Sequence, residues 1–172
     1  ILGVGGMQLY RAETPGPVKD SKMTPRIADT AKHLWYIYLS LTLVCTLAFW
    51  VVGMNWFDAI CHAFSTIAIG GFSNYDASLG HFNSVGVNIV CVICLWIAAL
   101  NCDLHYAAAS GRSLKGYFRD PELIVFFVIH ISLVLLCFIV LMQFSWYSDA
   151  GVAFDQALIQ SVSISTTAGF TT

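Results

Sequence analysis

Three long apolar stretches constrain the fold of this chain more than any other feature. They run from Leu34 to Met54, from Val85 to about Ala109 (charge-free as far as Asp103), and from Leu123 to Phe144, where His130 is the sole interruption. A hydrocarbon core of about 30 Å is crossed by about 20 apolar residues in a helix, so each stretch is long enough to span. Only 10% of the 172 residues are charged and 58% are hydrophobic. A soluble domain carries roughly 25% charged residues, and without them there is no polar skin to cover a core. The net charge of −2 also excludes a basic nucleic-acid binder and an acidic disordered tail. The expectation is an all-α membrane protein.

Two further apolar segments are too short to cross. Trp56–Ile67 and Phe154–Ser165 are about twelve residues each, roughly 18 Å of helix at about 1.5 Å per residue. Each carries an acid near its start, Asp58 and Asp155, which suits a helix N-terminus, and each runs into a glycine-bearing stretch. The basic residues settle how they sit. All eight fall in two places: Arg11, Lys19, Lys22, Arg26 and Lys32 before the first span, and Arg112, Lys115 and Arg119 between the second and third. By the positive-inside rule the N-terminal segment and the 110–121 loop are cytoplasmic. A full crossing by Trp56–Ile67 would put that loop outside, so the short segments are expected to dip in and return. Ile1–Tyr10 reads as the inner end of an earlier span, and Pro15, Pro17 and Pro25 break the segment after it into a connection. The opening on Ile1 and the stop inside a motif suggest an internal piece of a longer polypeptide.

The unit repeats. A shift of 98 residues lays Ser65 on Ser163, Gly71 on Gly169 and Phe72 on Phe170, with Ser73 on Thr171, Ala59 on Ala157 and Ile60 on Leu158. Both copies have the same orientation. The repeating order is span, half-membrane helix, glycine-bearing loop, span. Non-helical backbone at membrane depth survives only where it lines water or is buried in protein. A row of bare carbonyls also replaces the water shell of a dehydrated alkali cation. Glycine frees successive peptide planes to point at one axis, and the carboxyl end of the preceding helix adds about half a negative charge. The bland alternative is that Gly71 and Gly169 merely terminate helices, the commonest place for glycine.

The loops Ala68-Ile69-Gly70-Gly71-Phe72 and Thr166-Thr167-Ala168-Gly169-Phe170 carry a resemblance. So do the runs Ser65–Ser73, Gly111–Lys115, Arg119–Glu122, Thr166–Thr172 and the opening Ile1–Glu13. The chain resembles the Trk/Ktr/HKT family of potassium transporters, most closely the membrane subunit of bacterial Trk uptake systems. The resemblance implies four such repeats around one pore with pseudo-fourfold symmetry. Residues 1–29 would be the end of a preceding span and a cytoplasmic connection, and 30–110 the second repeat. Residues 111–121 would be a cytoplasmic loop, and 122–172 the start of the third repeat, ending in its filter. It further implies potassium coordinated by main-chain carbonyls of Ala68, Ile69, Gly70 and Gly71, and of Thr166, Thr167, Ala168 and Gly169, with side chains packed behind. The implied setting is the bacterial inner membrane, with lipid around the protein, a homodimer, and a cytoplasmic nucleotide-binding regulatory subunit. No organic cofactor and no nucleic acid is expected.

Other polar residues have two readings each. His130 in mid-span is either functional or a neutral imidazole bonded to a neighbouring helix, the cheaper option. Asp103 and His105 could line an inner vestibule or reach the interface. His62 reads as packing, Asp76 as an outer-mouth acid or a solvated one. Arg112–Arg119 sets topology and could dock a cytosolic partner. Trp50, Trp56, Trp146 and Tyr147 fall at span ends, where aromatic belts lie. Cys45, Cys91, Cys94, Cys102 and Cys137 sit in apolar runs and read as small hydrophobes. Cys61 lies in the short Trp56–Ile67 segment. With no phosphate-binding G-x-x-x-x-G-K motif and no nucleophile–base pair on a loop, an enzyme is not expected. Two alternatives stand beside a potassium pore: an ion-coupled symporter, and a membrane-embedded redox or enzyme subunit using the His and Cys residues.

Overall fold

The computed structural model describes residues 27–100, 104–105 and 121–172. Within them the chain forms helices and no strand: α1 (Ile27–Val51), α2 (Trp56–Ile67), a 3-10 turn (Ser78–Phe82), α3 (Val85–Ala99), α4 (Pro121–Gln143) and α5 (Ala150–Ser165). Among them α1, over Ala31–Val51, and α4 are long and apolar enough to cross a membrane.

Local chemistry sets the boundaries. The chain leaves α1 through Gly53 at φ +108, a left-handed angle that glycine takes without a Cβ clash. Asn55 then caps α2, its side chain accepting from the Asp58 amide at 2.9 Å, with Asp58 in the first turn where the helix dipole favours an acid. Pro121 opens α4, a position whose amide would be unpaired anyway. Asp149 caps α5 by accepting from the Gly151 amide at 2.8 Å.

Two expectations need correction. The fifth helix begins at Ala150 rather than Phe154, so Asp155 lies in its second turn, and the N-terminal role belongs to Asp149. The helix of the second apolar stretch, Val85–Ala99, breaks at Leu100, and Leu104 and His105 are helical again. Leu100 is extended at ψ 151, and the ring Nε2 of His105 donates to the Ile97 carbonyl at 2.9 Å. Eight residues apart in a straight helix would be about 12 Å, so the chain bends after Ala99. Asn101 and Asp103, which compete with the backbone for hydrogen bonds, come directly after in the sequence.

Helices α1 and α2 pack as one pair and α4 and α5 as another, while α3 touches α1, α2 and α5 and joins them. Small residues permit the close approach. Ala59 and Ala63 on α2 and Ala153 and Ala157 on α5 are fully buried, as expected where helices meet without a hydrophobic drive between them. Phe49, Leu79, Leu95, Ile159 and Phe170 fill the centre. Cys45, Cys91 and Cys94 pack in the same core, and each is a free thiol. The outward surfaces are apolar too: on α4 only His130 and Val134 are buried. A helix apolar all round suits lipid or further helices, not water.

Candidate functional site

Both short helices end in the same way, 98 residues apart. Ala68 and Thr166 close α2 and α5 in nearly identical right-handed conformations, at φ −79, ψ −3 and φ −82, ψ −3. The next residue is left-handed in each copy, Ile69 at φ +54 and Thr167 at φ +66, and so is the glycine two places on, Gly71 at +67 and Gly169 at +89. In the first copy the Ile69 amide bonds the Thr66 carbonyl at 3.1 Å and the Gly70 amide bonds Ser65 at 2.7 Å. That pair is the Schellman arrangement of a helix C-terminus. In the second copy the Thr167 amide bonds Ile164 at 3.0 Å, and the outer bond comes from Gly169 to Ser163 at 3.2 Å.

The left-handed cap is therefore held by Ile69 and Thr167, both β-branched, for which a positive φ is a true outlier. Each costs on the order of 1–3 kcal/mol and persists because its surroundings over-determine it. Gly71 and Gly169 make a second left-handed turn beyond the first.

The two loops meet. A Cβ on Gly71 would strike the Ala168 carbonyl oxygen and lie 2.8 Å from its carbon and 3.2 Å from the Gly169 carbonyl carbon. Gly169 has open space where its own Cβ would stand. Of the side chains expected to pack behind these loops, Thr166 and Ala168 are buried, whereas Ala68 and Thr167 are exposed. The tail of the second loop bonds back to the first repeat, with the Gly80 amide on the Thr171 carbonyl at 3.3 Å and the Thr171 amide on Ser78 Oγ at 3.3 Å. Phe170 is fully buried, its ring 6.4 Å from the His62 ring.

The electrostatics favour a cation. Segments 53–85 and 143–172 hold Asp58, Asp76, Asp149 and Asp155 and no Lys or Arg. The carboxyl ends of α2 and α5, each worth about half a negative charge, open onto the two loops. Asp58 is buried, yet its carboxylate receives Asn55 Nδ2 at 2.7 Å, Asn74 Nδ2 at 2.9 Å and the Tyr75 hydroxyl at 2.8 Å. Burial pulls this carboxyl up, but the bonds from Asn74, Tyr75 and Asn55, with His62 nearby, prevail and hold it below the ordinary carboxylate range.

His62 is packed, as expected, but it is also bonded. Its Nδ1 donates to the Asp58 carbonyl at 2.8 Å, and its Nε2 shares a hydrogen bond with Ser73 Oγ at 2.9 Å. His130 is buried and bonds its own helix, at the Phe126 carbonyl 2.8 Å away, rather than a neighbouring one. Asp76 is exposed. Trp50 and Trp56 stack at 5.0 Å, and Trp146 is exposed while Tyr147 is half-buried. Asp103, Cys102 and Arg112–Arg119 lie outside the described residues.

Sequence reasoning missed Asn74, Tyr75 and Ser73, and it missed the buried pair in which Asn88 Nδ2 donates to Asp155 Oδ2 at 2.7 Å, beside a cavity of about 470 Å³. A signal for the first group was present. The same shift lays Asp58 on Gln156, His62 on Gln160 and Asn74 on Thr172, all hydrogen-bonding side chains.

Long apolar helix, short helix and doubly left-handed loop, occurring twice and meeting at the loops, define a helical membrane protein of the cation-handling class. The chain belongs to the TrkH family of cation transport proteins, whose pattern matches residues 1–172. It is 60% identical over 174 residues to the Trk system potassium uptake protein TrkH of Vibrio parahaemolyticus, and 57% identical over 172 residues to that of Escherichia coli K12; each alignment covers 100% of this chain and 36% of the relative. The crystal structure of the potassium transporter TrkH from Vibrio parahaemolyticus superposes with a TM-score of 0.84 at 53% identity, covering 97% of this chain and 36% of that one. The chain thus spans about a third of the length of the curated relatives it matches.

Proposed function

We propose that this chain supplies two filter-bearing repeats of a potassium uptake pore in the bacterial inner membrane, within a polypeptide of its relatives' length. Residues 30–110 are the second of four repeats around one axis, and 122–172 begin the third. The cation sheds its water against main-chain carbonyls of Ala68, Ile69, Gly70 and Gly71 from one side and of Thr166, Thr167, Ala168 and Gly169 from the next. No covalent chemistry is involved. Lipid surrounds the outward apolar helices, the N-terminal segment and the 111–121 loop face the cytoplasm, and the full protein pairs as a homodimer with a cytoplasmic nucleotide-binding subunit.

One observation carries the reading. The same pair of left-handed residues, Ile69 with Gly71 and Thr167 with Gly169, recurs at the mouths of two helix carboxyl ends, in segments that hold acids and no bases. Strained backbone duplicated at two sites is retained for use, and carbonyl-bearing loops at membrane depth serve ions. Potassium is assigned because the relatives at 57 to 60% identity are named as potassium uptake proteins.

The test is rubidium and sodium flux in liposomes holding the full-length protein, wild type against Gly71→Ser and Gly169→Ser. Both variants are expected to lose preference for rubidium over sodium. Unchanged preference in either overturns the assignment.

A further inference from the structure

Beyond each glycine the chain is gripped by its own short helix. In the first repeat Asp58 Oδ1 accepts from Asn74 Nδ2 at 2.9 Å and His62 Nε2 is hydrogen-bonded with Ser73 Oγ at 2.9 Å. In the second, Thr172 Oγ1 donates to Gln156 Oε1 at 2.5 Å and accepts from Gln160 Nε2 at 3.1 Å. Asp58 and Gln156 correspond under the repeat, as do His62 and Gln160, and as do Asn74 and Thr172. In each helix the two gripping residues are four apart, one turn along a single face. The chemistry differs, a carboxylate and an imidazole against two amides, and so does one held residue, since His62 holds Ser73 while Gln160 shares Thr172 with Gln156; the two gripping positions are the same.

We propose that Asp58 with His62, and Gln156 with Gln160, are positioning residues that set where each filter backbone stands by fixing the residues beyond its glycine. The proposal rests on the carbonyl-filter reading above and adds the part that holds it. The bonds that close each helix fix only the helix side of each loop. The outer side has no regular structure, and a β-branched residue held at positive φ relaxes unless both ends are tied. Asp58 ties the outer side most strongly. Tyr75 adds a second bond to the same carboxylate at 2.8 Å, and the Tyr75 amide bonds Ser73 Oγ at 3.2 Å.

The experiment uses the full-length protein in liposomes, reading rubidium uptake, its inhibition by sodium, and thermal unfolding in detergent. Asp58→Ala is expected to lower the rubidium-over-sodium preference about tenfold, the factor that about 1.4 kcal/mol carries. The grafted variant Asp58→Gln, His62→Gln, Asn74→Thr, which installs the second repeat's clamp in the first, is expected to recover most of it. Should Asp58→Ala fail to fold, Tyr75→Phe, which removes one bond and leaves the rest, is expected to lower the preference by a smaller factor. Wild-type preference in Asp58→Ala or, where that variant does not fold, in Tyr75→Phe overturns the clamp if Gly71→Ser loses preference in the same vesicles. A folded graft that recovers nothing overturns it too. If Gly71→Ser itself keeps the wild-type preference, the filter reading falls, and the clamp falls with it.

Discussion

The two loops share a backbone and differ in nearly everything that surrounds it. In the second, Phe170 is fully buried, its carbonyl takes the Ser163 hydroxyl at 2.7 Å, and its ring lies near His62 of the preceding repeat. In the first, the equivalent Phe72 is 80% exposed and the equivalent Ser65 hydroxyl has no partner among the described residues. Repetition has conserved the path of the chain and the positions that grip it, not the side chains that do so. The difference also has a direction: the phenylalanine of the later repeat seats against the helix of the earlier one, and Phe72 stands where it would seat against a repeat before it.

The largest expected effect tests that seat. Phe170→Ala removes a fully buried ring and should cost about 3–5 kcal/mol. In the full-length protein Phe72→Ala should cost a comparable amount, because the proposed four-repeat arrangement provides the missing neighbour. Thermal unfolding of both variants measures it. A Phe72→Ala protein that melts with wild type shows that no preceding repeat covers this face.

Next come the glycines. Both need a left-handed angle, and any other residue there costs about 1–2 kcal/mol. Gly71 carries a second burden, since a Cβ would strike the Ala168 carbonyl, whereas Gly169 faces open space. Gly71→Ala should therefore add about 1–3 kcal/mol of overpacking that Gly169→Ala escapes. Parallel denaturation of the two variants checks the gap, and equal losses would mean that the loops do not touch. Smaller still is the strain at the caps. Thr167→Gly, at an exposed position, should relieve about 1 kcal/mol of left-handed strain, stabilising the fold by less than that because glycine is freer when unfolded.

Much of this was legible in the residues. Trp56–Ile67 is helical over the span expected for it, since Asn55 caps one end and Gly70-Gly71 lie beyond the other. The third span appears within two residues of its apolar limits, and the helix of the first starts at Ile27, ahead of Leu34, and ends at Val51, short of Met54. Illegible was whatever depends on groups distant in the chain. Nothing local shows that Asp155 meets Asn88, 67 positions away. Nor does the apolar run after Val85 show that its helix stops at Ala99, because Ala and Leu permit either course. The glycines drew attention to the two loops for an incomplete reason. They mark the second left-handed turn, and the first falls on Ile69 and Thr167, residues that propensity alone would never place there.

The smallest expected effect separates the two clamps by their chemistry. Asp58 is held below its ordinary value of 3.8, chiefly because the bonds from Asn74, Tyr75 and Asn55 outweigh its burial. A group with a depressed folded-state value contributes stability that is present above the unfolded value and is lost as pH falls through the folded one. Tyr75 is shifted the other way, upward from 10.0, by its bond to Asp58, so its contribution is lost only as pH rises beyond that range. Gln156 and Gln160, by contrast, have nothing to titrate at any pH. Melting temperature should accordingly fall on the acid side, and Asp58→Gln should make that acid fall shallower. An acid limb of unchanged steepness in Asp58→Gln would assign it to other carboxylates and leave Asp58 without a linked role.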